Sequence, residues 1–299
     1  MDNDIQALRS MIAEAKRIAF LGGAGLSTAS GIPDFRSEDG IYRAIREFGH
    51  PPETLLSHSF FLKHTAAFYR YYRKYLLYPN ALPNRAHTAL AKLEWGDAYD
   101  AHMAALAAEA RAARDGAAVP PAAQPARAEA GAAGAAGRGE AARGPEPQGK
   151  LTAIVTQNID DLHQRAGSRN VLELHGSVYR NRCLHCGAFY SLDALLKKLD
   201  ASPDGVPRCG CGGVIKPDVV LYGEGLDQAV LSAAIAHISR ADLLIIGGTS
   251  LMVYPAAALI DYFRGRHVVV INLSDTGRET GADLTIRRSI DEVLSEAVD

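Results

Sequence analysis

The sequence predicts an α/β protein built on a doubly wound parallel sheet. Short apolar runs recur along the chain, and each ends in small or polar residues. Helical patterns lie between these runs, as a parallel sheet requires. The chain has 299 residues, 47% of them hydrophobic, which is enough to bury a large core. Such sheets bind ligands at the carboxyl ends of their strands, so the residues after each run are candidates for a site.

Four apolar runs are expected to be buried parallel strands, and two segments to be helices. The runs are rich in Ile, Leu and Val, as strands covered on both faces are. The predicted strands are residues 17–21, 151–156, 241–246 and 268–271. The predicted helices include residues 229–239 and 290–297.

Residues 97–149 differ from the rest of the chain, because they consist mainly of Ala, Gly, Pro and Arg. Residues 98–114 contain enough good helix formers to extend a helix. The remainder has too few large apolar side chains to offset the entropy of ordering, which predicts disorder. A tolerated surface insertion is favoured over a functional tail. The expected division is a sheet domain (1–40, 85–96, 150–176 and 216–299), a helical module (41–84), this insertion (97–149) and a small domain (177–215).

Charge and hydropathy exclude several classes of protein. Lys and Arg number 32 against 34 for Asp and Glu, a net charge of −2, so no specific nucleic-acid partner is expected. No stretch approaches the roughly 20 apolar residues of a membrane helix, and the acidic start does not resemble a signal peptide. We therefore expect a cytoplasmic protein with no membrane partner. Nothing in the sequence indicates an oligomeric state.

The four cysteines are spaced as two metal-binding pairs. Cys183 and Cys186 are followed, after 22 residues, by Cys209 and Cys211. Four thiolates on two short turns form a closed tetrahedral zinc site, which leaves no position for a catalytic water. The sequence therefore predicts structural zinc at residues 177–215. The second pair is one residue shorter than the usual spacing, and a redox-active dithiol is the alternative.

Small and polar residues follow the predicted strands. The run 22–28 (GGAGLST) suits the approach of backbone amides to a pyrophosphate at the N-terminus of a following helix, and a plain tight turn is the alternative. Thr28 takes the place of the third glycine of a dehydrogenase fingerprint, so hydride transfer is disfavoured. The polar side chains of residues 156–161 could form hydrogen bonds with a ribose and a carboxamide, and a capped helix start is the alternative. Residues 247–251 and 272–274 suit a nucleotide, or are ordinary turns.

His175 is the candidate general base, since histidine titrates near neutral pH. The chain contains ten histidines, so a core or surface role is the alternative.

Taken together, these motifs resemble the sirtuin family of NAD-dependent protein deacylases. They occur in the family's order and cover most of the chain outside the insertion. The matching segments are GAGLSTASGIPDFR (23–36), PNRAH (83–87), TQNIDDLHQRAG (156–167), ELHG (173–176), KPDVVLYGE (216–224), GTSLMVYPA (249–257) and INLS (271–274).

The resemblance implies a Rossmann-like NAD-binding domain, a small zinc domain, and a cleft where NAD meets an acyl-lysine protein or peptide. It implies His175 as the catalytic base and Phe35 as a cover for the reacting ribose. The implied NAD-binding residues are Ala24, Gly25, Thr28, Phe35, Arg36, Gln157, Asn158, Asp160, Thr249, Ser250, Asn272 and Leu273. Val219, Val220, Tyr222, Gly223 and Glu224 match the segment that pairs with the substrate peptide.

The activity implied by the resemblance is deacetylation, in which NAD is consumed as a co-substrate. The acyl group passes to ADP-ribose, and nicotinamide and O-acetyl-ADP-ribose are released. Desuccinylating members carry a Tyr-x-x-Arg pair, but here Tyr69 is followed three residues later by Tyr72, and Arg73 is one place off. One position turns a helical side chain by about 100°, so deacetylation is favoured. Desuccinylation or another deacylation, mono-ADP-ribosyl transfer and, last, a non-catalytic scaffold are the alternatives.

Overall fold

The structure is a computed structural model that describes residues 3–34, 38–114, 146–277 and 281–298. Its helices are α1 (Asn3–Glu14), α2 (Glu38–Phe48), α3 (Pro52–Leu55), α4 (His58–Lys63), α5 (Thr65–Tyr75), α6 (Arg85–Trp95), α7 (Tyr99–Arg114), α8 (Leu162–Arg165), α9 (Leu192–Asp200), α10 (Gln228–Arg240) and α11 (Ile290–Val298). Its strands are β1 (Ile18–Gly22), β2 (Leu151–Thr156), β3 (Val171–Glu173), β4 (Gly176–Cys183), β5 (Phe189–Ser191), β6 (Ile215–Val219), β7 (Leu243–Gly247), β8 (His267–Ile271) and β9 (Leu284–Ile286).

The large sheet contains six parallel strands in the order β3-β2-β1-β7-β8-β9. Every residue of β1 is buried, because the strand packs on both faces. Ile18 and Phe20 join a core with α1, α6 and α11, whereas Ala19 and Leu21 join a second core with α10. This alternation is the two-residue period of a strand. The prediction of a doubly wound sheet is confirmed.

The four predicted strands correspond to β1, β2, β7 and β8, with boundaries one or two residues away at most. The predicted helices correspond to α10 and α11. Sequence reasoning missed the edge strands β3 and β9, because three residues are too few to show a pattern.

The small sheet is antiparallel, in the order β5-β4-β6. It shares one core with the helical module, in which Phe68, Tyr72, Leu195 and Ile215 are completely buried. The module and the small domain, expected as separate blocks, therefore pack as one. The strand β6 also pairs with β4, although its residues 216–219 were assigned to the sheet domain.

The ends of the predicted insertion lie against each other. The Gly149 N–H donates to the Glu94 carbonyl at 2.9 Å, as the expectation of a surface excursion requires. The predicted helix is α7, and its His102 ring stacks on Trp95 with 3.6 Å between ring centroids. The prediction of disorder falls mainly on residues 115–145, which lie outside the described residues. Among the helices described, none combines the length and apolar character needed to cross a membrane.

Candidate active site

A cavity lies where the loops after β1, β2 and β7 meet the small sheet. This is the carboxyl edge of the large sheet, where the sequence places its polar clusters. The predicted site residues that line the cavity are Ala24, Gln157, Asn158, Asp160, His175, Val219, Val220, Tyr222, Gly223, Glu224, Thr249 and Ser250. One cavity thus contains residues predicted for both NAD and the substrate peptide.

Of the other predicted NAD residues, some lie around this cavity and two are outside the described residues. Thr28 is exposed, and its hydroxyl donates to the Gly25 carbonyl at 2.9 Å. The Asn272 side chain donates to the Thr249 carbonyl at 3.2 Å, whereas the Leu273 side chain is 74% exposed. The predicted residues Phe35 and Arg36 lie outside the described residues.

The glycines after β1 allow two loops to touch. The Gly25 N–H donates to the Gly248 carbonyl at 2.8 Å. A Cβ on Gly23 would lie 2.9 Å from the Thr249 Cβ, and one on Gly25 would lie 2.9 Å from the Gly248 Cα. The expected helix N-terminus does not follow β1 directly: among the described residues, two 3₁₀ turns, Ala24–Leu26 and Thr28–Ser30, come next. Backbone approach rather than a helix dipole therefore characterises this loop.

Ser27 connects the loops after β1 and β2. Its hydroxyl donates to Asp160 Oδ2 at 2.6 Å and accepts from Asn158 Nδ2 at 2.9 Å. Sequence reasoning missed Ser27, which lies inside the first motif and is 1% exposed. A buried hydroxyl must find partners, and the neighbouring loop supplies them. Ser27 therefore sets the relative position of two predicted NAD residues.

Asp160 is bonded both to the loop after β1 and to the start of α8. The N-cap position of α8 is Asp161, whose side chain makes no cap, and not Asn158 or Asp160 as the alternative interpretation expected. Its Oδ1 accepts from the Leu162 N–H at 3.0 Å at the start of α8, while Oδ2 binds Ser27. Burial raises the pKa of Asp160, although these hydrogen bonds oppose the shift. Nearby, Gln157 Nε2 donates to Thr249 Oγ1 at 3.0 Å and connects the loops after β2 and β7.

His175 lies between β3 and β4 and is half-buried in the cavity wall. Its Nδ1 lies 2.9 Å from the Gln157 carbonyl oxygen. A carbonyl only accepts, so Nδ1 carries the proton and Nε2 is the basic nitrogen of the neutral ring. Gly176 follows with φ +75°, and any side chain there would strike the Asp218 carbonyl. The backbone thus fixes the position and tautomer suited to a general base.

The predicted substrate segment, residues 219–224, is braced from the helical module. The Tyr222 N–H donates to the Leu56 carbonyl at 3.0 Å, and its carbonyl accepts from the His58 N–H at 2.9 Å. The Glu224 carboxylate accepts from the Leu221 N–H at 2.8 Å and from Lys216 Nζ at 3.0 Å. Burial alone would raise the pKa of Glu224, but these bonds and the one to His58 lower it. The Glu224 side chain therefore shapes the segment.

The Arg73 side chain is paired with a carboxylate at the protein surface and is not among the residues that line the cavity. Its Nη1 lies 2.5 Å from Asp200 Oδ1, and both side chains are more than half exposed. Tyr69, which was compared with the tyrosine of the Tyr-x-x-Arg pair, is buried, and its hydroxyl donates to the Ile215 carbonyl. No Arg or Lys is found among the described residues that line the cavity.

The four cysteines converge on one point, with all their sulfur atoms within 4.8 Å of one another. The Cys183 and Cys211 sulfurs are 3.5 Å apart, and those of Cys186 and Cys209 are 3.6 Å apart. Zn–S bonds of about 2.3 Å in a tetrahedron place sulfurs about 3.8 Å apart, so the set fits zinc. A Cβ on Gly213 would lie 2.7 Å from the Cys183 sulfur, which explains a glycine beside the second pair.

Two structural observations support a metal site over a redox dithiol. The backbone N–H groups of His185 and Cys186 point at the Cys183 sulfur, and the Tyr190 hydroxyl donates to the Cys209 sulfur at 3.0 Å. These donors stabilise thiolates, the form that binds metal. All four cysteines are also free thiols. A dithiol would need two sulfurs, whereas here four are brought together.

Known proteins share this architecture. Residues 23–103 and 141–255 match the Sir2 family. An NAD-dependent protein deacetylase of Clostridium acetobutylicum is 43% identical over 295 residues, covering 98% of each chain. A protein of the same name from Clostridium perfringens is 45% identical over 301 residues, covering 100% of each chain.

Solved structures agree with these relatives. A complex of Sir2 with a p53 peptide and NAD+ superimposes with a TM-score of 0.69 at 31% identity, covering 97% of this chain and 95% of that one. A Sir2 complex with deacetylated p53 peptide and 3′-O-acetyl ADP ribose has a TM-score of 0.72 at 31% identity, covering 98% and 96%. The resemblance stated from the sequence, to an NAD-dependent enzyme family, is confirmed: the chain belongs to the Sir2 family.

Proposed function

We propose that this protein is an NAD-dependent protein-lysine deacetylase. The observation that carries the proposal is His175, whose Nδ1–Gln157 hydrogen bond leaves Nε2 basic in the same cavity as the predicted NAD and peptide residues. The relatives named as deacetylases and the Sir2 complexes with a p53 peptide support the same function.

Residues of the large sheet would hold NAD. Asn158 and Asp160 offer an amide and a carboxylate that suit ribose hydroxyls and a carboxamide, and Ser27 fixes both. Ala24 and Gly25 would present backbone to the pyrophosphate. Thr249, Ser250, Asn272 and Leu273, in the loops after β7 and β8, would bind the adenosine part of NAD. Bound NAD supplies an electrophilic ribose carbon, from which nicotinamide leaves as the acyl oxygen of the substrate attacks. His175 would accept a proton from a ribose hydroxyl and so activate it.

The peptide would enter along residues 219–224 and be held by backbone pairing. The backbone of Tyr222 is already bonded to the segment 56–58, and the Val220 N–H to the His175 carbonyl. Gly223, with φ +89° in the cavity wall, is therefore where we expect the peptide to pair first. The cysteine site lies apart in the small sheet, and its zinc would have a structural role.

An uncharged acyl group fits the cavity better than an acidic one. Succinyl-lysine needs a cation for its carboxylate, and the only candidate from the sequence, Arg73, is paired with Asp200. Mono-ADP-ribosyl transfer would use the same NAD residues, but it would not need an acyl peptide. We place the protein in the cytoplasm, because four free thiols at metal-binding distance suit a reducing compartment.

The decisive experiment measures nicotinamide release with NAD alone, with an acetyl-lysine peptide and with a succinyl-lysine peptide. Mass spectrometry then identifies O-acetyl-ADP-ribose. We expect release to depend on the acetyl peptide. Release that is independent of any acyl peptide would favour ADP-ribosyl transfer, and faster release with the succinyl peptide would overturn the acyl preference.

His175→Ala should lower kcat/KM by about 10²- to 10⁴-fold, the usual contribution of a positioned general base. The matched control is His64→Ala, because His64 is exposed on the helical module. Both variants should keep their zinc and their melting temperature. A correctly folded His175 variant with the turnover of the control would remove this residue from the mechanism.

A further inference from the structure

The strand β4 carries a bulge next to the active site. In the register with β6, Ser177 pairs with Asp218 and the next pair is Asn181 with Pro217. The three residues of β4 between these pairs therefore have no partner on β6. Two of them, Val178 and Tyr179, line the cavity. The Val178 N–H donates to the Ile159 carbonyl at 3.1 Å, which ties the bulge to the loop after β2. Bulges beside active sites commonly re-aim side chains, and the third residue here is Arg180.

Arg180 spans both sheets with one guanidinium. Its Nη2 lies 2.7 Å from Glu173 Oε2, on the last residue of β3 and two residues before His175. Its Nε lies 3.2 Å from Asp218 Oδ2, on β6 immediately before the substrate segment. The Arg180 and Glu173 side chains are 26% and 6% exposed, so water screens this pair weakly. Arginine suits the position because its rigid fork can bind two carboxylates at once.

A third carboxylate comes from the loop that carries Asn158 and Asp160. Asp161 follows them at φ +63°, and its carboxyl group lies close enough to Glu173 and Arg180 for both to affect its pKa. Gln164 Nε2 donates to the other Glu173 oxygen at 2.9 Å. A non-glycine residue in the left-handed region is uncommon and costs energy. The surrounding structure, which includes the nearby cation of Arg180, therefore has to compensate for this backbone conformation.

Glu173 lies near a second acid, Asp161, and near the cation of Arg180, and both affect its pKa. The pKa of Glu173 is raised to about 7, mainly by burial; Asp161 contributes to the rise, whereas Arg180 and Gln164 oppose it. Burial also raises the pKa of Asp161, and Asp160 adds to this, whereas Arg180 and Arg165 oppose it. Arg180 is thus the cation that the two acids share.

We infer that Arg180 is a positioning residue for the proposed reaction, which couples the loop 158–161 and His175 to the substrate segment 219–224. The inference rests on the proposed function. Among the described residues, the ion pairs of Arg180 are with Glu173 and Asp218 and not with a predicted NAD residue or with the segment itself. It acts through Glu173 and Asp161 on one side and Asp218 on the other.

The test compares Arg180→Gln, Arg180→Lys and Glu173→Gln with the matched control Arg182→Gln. Arg182 lies on the same strand and is exposed. Because small displacements of reacting groups are costly, we expect Arg180→Gln to lower kcat/KM for NAD by about 10- to 100-fold. Arg180→Lys keeps the charge and should recover part of this loss, and Arg182→Gln should match the wild type.

The pH profile separates positioning from general structural damage. Loss of the cation in Arg180→Gln should leave Glu173 protonated to higher pH, so the acid limb of kcat/KM for NAD should move upward. Arg180→Lys should keep the limb where the wild type has it. A uniform loss at every pH, equal in the Gln and Lys variants, would overturn the inference, as would wild-type kinetics in Arg180→Gln.

Two further measurements keep the outcome independent of the proposed function and of folding. NAD affinity by calorimetry requires no turnover, and Arg180→Gln should bind NAD more weakly than Arg182→Gln. If the wild type binds NAD but deacetylates no peptide, the proposed function fails while this comparison still decides the inference. If Arg180→Gln does not fold, the test passes to Glu173→Gln and Arg180→Lys, which should then show a lower kcat/KM for NAD and weaker NAD binding. If both variants match Arg182→Gln in these two quantities, the inference is refuted.

Discussion

The large sheet and the small sheet are held together by different means. The central strands β1 and β7 are buried along their whole length, and their side chains divide between two apolar cores. The small sheet has three strands, and its outer strand β5 is partly or fully exposed. Beyond β4 the chain forms cysteine and glycine turns, in which Cys186 and Cys211 are exposed.

The difference shows how the size of a core determines what must supplement it. A six-stranded sheet covered on both faces buries enough apolar surface to offset the entropy of folding. The cysteine turns bury little, so bonds to a metal must replace packing there. The helical module, with Phe68 and Tyr72, shares a core with the small sheet, but of the four cysteines only Cys209 packs against that core.

The largest effect is expected from the removal of one cysteine thiolate, which should destabilise the small sheet and leave the large sheet intact. Cys183→Ala should release zinc, because structural zinc supplies folding free energy of about 10 kcal/mol or more. Hydrogen exchange should then show lost protection in β4 and β5 but retained protection in β1 and β7. His185→Ala, which leaves all four sulfurs in place, is the control. Equal loss of protection in both sheets, or none in either, would show that the two regions are not held differently.

A smaller effect concerns two polar residues inside the large sheet's core. His87 and His163 are buried with ring centroids 4.8 Å apart, and burial lowers the pKa of His87 to about 3 and that of His163 well below its usual value. Both stay neutral in the folded protein, whereas the unfolded chain takes up protons below about pH 6.5. Stability should therefore fall as pH drops from 7, by about 2 kcal/mol at pH 5 for His87, and His163 should add to the fall.

Urea unfolding between pH 5 and 8 tests this dependence. His163→Leu removes one buried imidazole and should flatten the curve by about one proton. The exposed His64→Gln should leave its slope unchanged. An identical slope in His163→Leu and the wild type would show that this histidine is not the source of the acid sensitivity.

The smallest effect is expected from the insertion, which belongs to neither sheet. Replacing residues 97–148 with a short turn, while keeping Gly149, should leave kcat/KM nearly unchanged, because the loop enters β2 at the end opposite the cavity. A shorter loop gains about 2 kcal/mol of closure entropy. Loss of the Trp95–His102 stack costs about 1 kcal/mol, so the shortened protein should be slightly more stable, by about 1 kcal/mol.

Steady-state kinetics and urea unfolding of the shortened protein measure both effects. A hundredfold loss of activity in a folded, zinc-containing variant would show that the insertion contributes to function.

Patterns in the sequence predicted the features that depend on local chemistry. The strands β1, β2, β7 and β8 could be located because buried parallel strands are continuously apolar. The four cysteines could be grouped because their spacing reflects one coordination geometry. The sequence could not indicate that the helical module shares a core with the small sheet, since that contact joins residues such as Phe68 and Ile215, far apart in the chain.

The site was harder to predict where one residue serves another. Ser27 was missed because its role is to hold Asp160 and Asn158, and such a role requires knowledge of the partner. Arg180 has no motif at all, and only the bulge in β4 brings it to Glu173. The bonds of the Glu224 side chain to Leu221 and Lys216 were likewise not visible in its motif.

The hydrogen bond between the Gly149 N–H and the Glu94 carbonyl makes this position suitable for the insertion of additional sequence. Whatever leaves the domain after Trp95 returns within bonding distance of where it left. A folded guest domain whose own termini lie close together could be spliced between α6 and β2 without stretching either element. The chain therefore offers a place to attach a fluorescent reporter or a targeting domain at a distance from the catalytic cleft. Evolution could lengthen the protein at this point with the same freedom.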